Sequence, residues 1–454
     1  MSFNKALFSS SRINNYVLMS ILFWLPLYRG GYDNQAIALL LLSTSLILVL
    51  SLWSGECKSL RPWVMLWFVV LFFLFFQTIN FSIFGYSNGL VKSSFDLDSI
   101  YVIAFFTSMW VMCWATSQLD AGGLKMLFYS ILLVSSFQAV YGLTHFLIDG
   151  ESVLGLWVKS TSAVGATGTF VNRNHFAGML AMSWPLVIYS IMAKSPKIFS
   201  RLGLSFRLFI SFLYSIFVLF ALLSSESRMG MAAAAFGLFI CALVATRARV
   251  ESSELEGGLV KPIFLSSIVL IVIFALWFGV EDIAQRYARL DTGDSRLDVW
   301  RAMFDLPASA WVFGIGVGSF EDVFYLVQPT YLVKNFDYAH NDYLQFFLEF
   351  GIIPGSIILI AFMCFVYRML PKIPRAQRAG AIGALSAIAL HSLVDCNLQI
   401  PGAAMIACVA FGLLLNPNLY AEISADDLDL RNRSRQPNRP SRPVPRWLDL
   451  LRSD

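Results

Sequence analysis

Charge is what this 454-residue sequence has least of. Asp, Glu, Lys and Arg together supply 14% of positions, against about 25% in a soluble domain. Histidine is scarcer still, with only His145, His175, His340 and His391. Six cysteines (Cys57, Cys113, Cys241, Cys364, Cys396 and Cys408) stand singly and mostly within apolar runs. Without a CxxC pair or a disulfide spacing, they read as small residues of membrane helices. No Walker sequence, zinc-ligand spacing or paired-aspartate metal motif occurs, so neither a metal nor another cofactor is expected. Gly314-Ile-Gly-Val-Gly318 lacks the preceding strand and the later acidic residue of a dinucleotide fingerprint, and reads as a tight backbone turn. A net charge of +4 over this length is close to balance and implies no nucleic-acid partner.

Apolar residues are what the chain has in excess. AVILMFWYC positions reach 57%, 40 of them Phe. A soluble protein of this size cannot hide that many rings without leaving large apolar patches in water. The chain therefore reads as an all-α polytopic membrane protein. Roughly 20 residues are needed per crossing, and about 12 segments qualify: 14–29, 35–54, 62–80, 98–117, 124–147, 176–194, 206–225, 229–247, 262–280, 343–369, 380–397 and 400–416. The first reads as a retained membrane helix rather than a cleaved leader. The last two are short, and one of them is open to a re-entrant reading. With the N-terminus inside, 23 of the 33 Lys and Arg residues fall on the cytoplasmic side and 10 outside, which places both termini in the cytoplasm. Divided accordingly, the chain has N-terminal membrane helices (1–165), a second membrane set (166–280), an outer loop domain (281–341), C-terminal membrane helices (342–417) and a basic tail (418–454). That tail carries six arginines and four prolines between Arg431 and Arg446, a composition that cannot bury a core and suits a solvated anchor beside anionic lipid.

On this map all four histidines lie in the outer half of the membrane or beyond it, so proton chemistry is expected at the outer face. Polar residues gather there in four places. The first is Gly168-Thr-Phe-Val-Asn172-Arg173-Asn174-His175-Phe-Ala-Gly178. Asn174 is a candidate helix cap, and Arg173 and His175 sit at the positive end of the following helix; amides and cations of this kind suit sugar hydroxyls or phosphate. The second is Ser227-Arg228-Met229-Gly230. A guanidinium at membrane depth must be paired, here with Glu226, or serve a ligand such as phosphate. The third is Arg296, in the first turn of a helix whose Leu297, Trp300 and Phe304 share one face. It reads either as a partner of Asp294 or Asp298, or as an anion ligand at a helix N-terminus. The fourth is His340-Asn341-Asp342, where Asn341 or Asp342 caps a helix and His340 stands at the boundary, able to take a proton from a hydroxyl. A further knot of His391, Asp395 and Asn397 reads as internal hydrogen bonding between short helices.

Two arginines and a histidine at the outer face suit a substrate with a lipid tail, a diphosphate and a polar head. Twelve spans with both ends inside also describe a secondary transporter or polysaccharide flippase, although such proteins carry their ionisable residues at mid-depth.

The ordered set Gly168 to Gly178, Ser227-Arg228-Met229-Gly230, Arg296-x-x-x-Trp300, Gly314-x-Gly-x-Gly-Ser-Phe320, His340-Asn-Asp-Tyr-Leu-Gln345, Glu349-Phe-Gly351 and Pro354-Gly355 resembles the O-antigen ligase / O-antigen polymerase superfamily, which includes bacterial protein O-oligosaccharyltransferases. The resemblance spans about 165–400 and departs from the family where Met229 stands in place of a glycine. It implies a GT-C-like fold of twelve spans with a large periplasmic loop in the bacterial inner membrane. It also implies a metal-independent inverting glycosyltransferase that takes a glycan from undecaprenyl diphosphate. Under the resemblance Arg228 and Arg296 contact the diphosphate and His340 is catalytic, with Asn172, Arg173, His175 and Asn341 as substrate-binding candidates. The acceptor is then another repeat unit (O-antigen or exopolysaccharide polymerase), lipid A core (ligase) or a protein hydroxyl.

Overall fold

The computed structural model describes residues 10–55, 60–83, 97–148, 150–158, 165–192, 202–247, 295–332, 335–371 and 378–419. Apart from Val269, the expected span at 262–280 lies outside these residues, as do residues 281–294 and the basic tail from residue 420.

The described chain is almost wholly helical. Five long helices come first: α1 (Ser10–Leu27), α2 (Asn34–Ser54), α3 (Leu60–Ile83), α4 (Leu97–Ser117) and α5 (Ala121–Leu147). A two-stranded hairpin, β1 (Ser152–Val153) with β2 (Trp157–Val158), follows. Next come α6 (Arg173–Met192), α7 (Leu204–Ser224) and α8 (Arg228–Arg247), then three short helices, α9 (Ser295–Phe304), α10 (Ala308–Phe313) and α11 (Phe320–Val327). The last group is α12 (Asp342–Phe350), α13 (Ile352–Met369), α14 (Ala379–His391) and α15 (Pro401–Leu415). Among the described residues, seven helices are long and apolar enough to cross a membrane (α2, α4 to α8 and α13), and shorter apolar helices are found at 60–75, 379–391 and 401–415. The architecture is that of an all-α polytopic membrane protein.

The tenth expected span, 343–369, is not one helix. It breaks at Gly351, whose φ of +90° ends α12 and starts α13. A Cβ at that position would lie 2.4 Å from the Phe313 carbonyl carbon, so only glycine admits both the turn and the close backbone. At nine residues α12 is too short to span. The eleventh span is also shorter than expected, because α14 ends at His391.

At the centre stands α6, buried along almost its whole length, wrapped by α8, α14, α5, α7 and α15. Close approach depends on missing side chains. A Cβ on Gly383 of α14 would sit 2.6 Å from the Gly237 carbonyl of α8, and one on Gly237 would sit 2.8 Å from the Gly383 carbonyl. Small residues of this kind let membrane helices pack backbone to backbone. The outer helices α2, α7 and α13 instead present Leu42, Phe212 and Tyr367 outward, as a surface facing lipid tails does.

Residues 295–348 build a second apolar cluster of their own, with Val299, Met303, Phe320, Phe324 and Phe336 at its centre. The face of α9 differs from the sequence expectation. Val299, Ala302 and Met303 are buried, whereas Phe304 is 62% exposed and stacks outside on Trp311, with ring centroids 5.3 Å apart. The glycines at 314, 316 and 318 all have positive φ, as a tight turn requires. That turn is pinned to α12 by Ile315 N–H donating to the Leu348 carbonyl (2.9 Å) and Gly316 N–H to the Glu349 carbonyl (3.0 Å).

Gly383→Val is expected to drive α14 away from α8 and lower the detergent-solubilised Tm by several degrees or more; a thermal melt showing no loss would rule out the close crossing.

Candidate functional site

The site begins with a carboxylate. Asp395 lies in the turn after α14 and its side chain is 1% exposed. A buried charge needs partners, and three chain segments supply them. Arg296, in the first turn of α9, places Nη2 3.2 Å from Asp395 Oδ2. His340, in the loop before α12, sets Nδ1 3.4 Å from Oδ1. His175, in the first turn of α6, brings Nε2 to 3.8 Å from Oδ1. The backbone N–H of Cys396 also donates to Oδ1 (2.9 Å). Burial alone would raise the Asp395 carboxyl. The hydrogen bond from His340 and the neighbouring His175, Arg296 and His391 side chains overcome that and hold it below the usual carboxylate range. Its contribution is present above the ordinary pKa of about 3.9 and is lost only as pH falls through the lowered value.

Each contributor is held by local chemistry. His340 has φ +50°, a left-handed conformation that costs an ordinary residue about 1–2 kcal/mol and persists only where neighbours impose it. On one side, the preceding Ala339 carbonyl accepts from Trp300 Nε1 of α9 (2.8 Å) and its N–H donates to Gln345 Oε1 (3.1 Å). On the other side, Asn341 caps α12, its Oδ1 accepting from the Tyr343 and Leu344 N–H groups, while its Nδ2 donates to the Leu393 carbonyl (2.8 Å). Asp342 Oδ2 accepts from Ser392 Oγ (2.7 Å) and Leu398 N–H (3.2 Å). His340 and Asp395 are thus clamped together by bonds from both flanks.

The Gly168-to-Gly178 segment is organised by α1 and α5. Thr169 Oγ1 donates to the Pro26 carbonyl (2.6 Å) and receives Gln138 Nε2 (2.7 Å), and Phe170 covers Gly30. Asn172, not Asn174, caps α6, its Oδ1 accepting the Asn174 N–H (2.8 Å). Arg173 pairs with Glu226 (3.2 Å), the acid that sequence proximity offers to Arg228 instead. Ser227 caps α8 by accepting the Gly230 N–H (3.3 Å). Half-buried Arg228 opens that helix, and a Cβ on Gly230 would lie 2.4 Å from Ala177 Cβ of α6. The starts of α6 and α8 therefore abut, with Arg228 at the level of Arg173 and His175.

Arg296, His340 and His175 are brought to one point, Arg228 opens the helix that abuts α6, and Asn172, Arg173 and Asn341 hold the frame. Sequence reasoning misses the hub. It groups Asp395 with His391 and Asn397 in an internal knot, yet among the described residues neither the His391 ring nitrogens nor the Asn397 amide has a hydrogen-bond partner. It offers Arg296 the neighbouring Asp294 or Asp298; Asp298 instead pairs with Arg301 (3.4 Å). The signal available is a lone acid in an apolar stretch, which must be paired somewhere. Three of the four histidines have ring atoms that sense Asp395, whereas His145 bonds the Ser152 carbonyl (3.0 Å) elsewhere.

This arrangement, a carboxylate-supported imidazole beside a guanidinium at the end of a helix bundle, is equipped for proton and phosphate chemistry on a membrane-bound substrate. A family model described as O-antigen ligase matches residues 212–360, a stretch that holds Arg228, Arg296 and His340 but stops before Asp395. No curated protein shows a significant match to the chain. Over residues 212–360 the chain is similar to the O-antigen ligase family, and together with its apolar helices the match supports a multi-pass membrane protein with a glycosyltransferase-like role in glycan assembly.

Two outcomes are expected. Asp395→Asn leaves Arg296 without its buried counter-charge, a change of about 3 kcal/mol or more for a largely buried pair; hydrogen exchange across 295–304 should accelerate, and unchanged protection would show that the pair does not dock the loop. Burial lifts the Asp342 carboxyl to about 7 against the lowering bonds from Ser392 and Leu398. A raised carboxyl pKa means stability present below about pH 4 and lost as pH rises through about 7. Asp342→Asn should therefore remove part of the fall in Tm between acidic and neutral pH, and a curve with the wild-type slope would contradict the burial argument.

Proposed function

We propose that the protein transfers a glycan from undecaprenyl diphosphate to an acceptor hydroxyl at the periplasmic face of the bacterial inner membrane, polymerising O-antigen or exopolysaccharide repeat units. The observation that carries this reading is the contact of His340 Nδ1 with Asp395 Oδ1. A carboxylate on Nδ1 favours the tautomer in which Nδ1 carries the proton and Nε2 has its lone pair. His340 is 23% exposed, so the ring is open to a substrate while Asp395 is not. His340 takes the proton of the acceptor hydroxyl as its oxygen attacks the anomeric carbon. The bond from that carbon to the diphosphate oxygen breaks, and the lipid diphosphate leaves with the electron pair. A single displacement of this kind inverts the anomeric centre.

Departure of the diphosphate builds negative charge, which fixed cations stabilise best where water is scarce. Arg296, 30% exposed, and Arg228 at the start of α8 are assigned to it, since a planar guanidinium can grip phosphate oxygens in pairs. In this reading no divalent ion is needed. Asn172 and Asn341 set the helix starts that present the site, and His175 buttresses Asp395 from below. Both termini lie in the cytoplasm. The family's description favours a second acceptor, lipid A core, in which case the same donor chemistry performs a ligation.

Purified protein given a defined undecaprenyl-diphosphate glycan, with repeat unit, lipid A core or protein acceptor in turn, tests the reading. His340→Ala is expected to slow transfer about 10²–10⁴-fold, and Arg228→Ala or Arg296→Ala about 10²–10³-fold, with membrane insertion intact. Full activity in any variant removes that residue from the mechanism; lipid-linked glycan crossing vesicles without any product would establish a transporter instead.

A further inference from the structure

The hub holds a second constellation, built on a cysteine that the transfer reaction does not use. Cys396 is a free, fully buried cysteine adjoining Asp395 in the turn between α14 and α15. Its Sγ lies 3.6 Å from His175 Nε2 and 3.6 Å from Asp395 Oδ1, and the same nitrogen and oxygen are 3.8 Å apart. A tetrahedral zinc ion has ligands at about 2.3 Å for sulfur and about 2.0–2.2 Å for nitrogen or oxygen, which sets neighbouring ligand atoms about 3.3–3.6 Å apart. The three edges found here are 3.6, 3.6 and 3.8 Å, so a shift of a few tenths of an ångström closes the set around an ion.

The three donors also match in kind. Thiolate, imidazole and one carboxylate oxygen form a mixed set suited to Zn²⁺ and unsuited to Mg²⁺ or Ca²⁺, which prefer oxygen alone. All three side chains are at least nine-tenths buried, so the donors are held in place by packing. The two oxygens of Asp395 divide between partners, Oδ2 facing Arg296 and Oδ1 facing the trio. Three protein donors leave a fourth position. His340 Nδ1 lies beside it, 3.8 Å from Sγ and 3.4 Å from Oδ1.

We propose that His175, Asp395 and Cys396 form a binding site for a thiophilic divalent ion of the Zn²⁺ class, and that occupancy of this site inhibits the protein. On binding, the Cys396 thiol releases its proton to solvent and a sulfur–metal bond forms. The ion engages Asp395 Oδ1, the atom on which His340 depends, and adds positive charge beside Arg296. The imidazole thereby loses the carboxylate that fixes its tautomer. Binding stands on the geometry alone; inhibition rests on the proposed transfer reaction.

The test uses the full-length purified protein. Titration with Co²⁺ should give one equivalent of bound metal and a thiolate-to-cobalt charge-transfer absorption, displaced by Zn²⁺ and absent in Cys396→Ser. Should that variant fail to insert, His175→Gln should shift or weaken the same band. A folded wild-type protein without the band, or a band unchanged in both variants, overturns the site. In the transfer assay Zn²⁺ should suppress wild-type activity at least about tenfold, a chelator should restore it, and Cys396→Ser should remain active and resist. Equal suppression of both proteins overturns the inhibitory role while the cobalt titration still decides binding. A wild-type protein with no transfer activity would count against the proposed function and leave the cobalt result to judge the site.

Discussion

A single buried carboxylate organises one end of this helix bundle. Asp395 is almost wholly withdrawn from solvent, and an ion so placed is tolerable only among cations and donors. It finds them on three segments far apart in sequence: the start of α6, the first turn of α9 and the loop before α12. The separate apolar cluster of residues 299–348 supplies its own packing, but the Arg296 contact fixes one end of it on the helix bundle. The hydrogen bonds that Asn341 and Asp342 make with Leu393, Ser392 and Leu398 fix the other. Burial of one charge, fold of the loop and alignment of the imidazole are therefore one problem with one solution.

The helix bundle makes this geometry possible by being small where it must be. Gly237 and Gly383 let α8 and α14 touch, Gly230 lets α8 meet α6, and Gly178 leaves room for Asn397, whose Oδ1 would be 2.5 Å from any Cβ there. These contacts bring the ends of α6, α8 and α14 to one level. His175, Arg228 and Asp395 are the residues standing at or just beyond those ends.

Most of the helices can be read from composition, because a run of about 20 apolar residues matches the thickness of a bilayer and little else. So can the helix start at Arg296, the glycine turn at 314–318 and the cap at Asn341, each of which rests on chemistry within a few residues. The break at Gly351 cannot, since it follows from the backbone of residues 313 and 314 pressing against it. The pairing of Asp395 is equally hidden. Its partners lie 55, 99 and 220 residues away, and nearer acids offer themselves to both arginines. What sequence reading does isolate is a short inventory. In a chain with so little charge, Arg228, Arg296 and His340 stand out as outer-face groups needing a reason, and two of the three meet the same carboxylate.

The central claim is that Asp395 acts through His340, and a double-mutant cycle on transfer rate addresses it most directly. Single-turnover transfer would be measured for wild type, His340→Ala, Asp395→Asn and the double variant. If the carboxylate works by orienting the imidazole, its loss has little left to remove once the ring is gone, and the double variant should be about as slow as His340→Ala alone. Independent sites add within about 0.3–0.5 kcal/mol; two losses that sum to that tolerance would contradict the account.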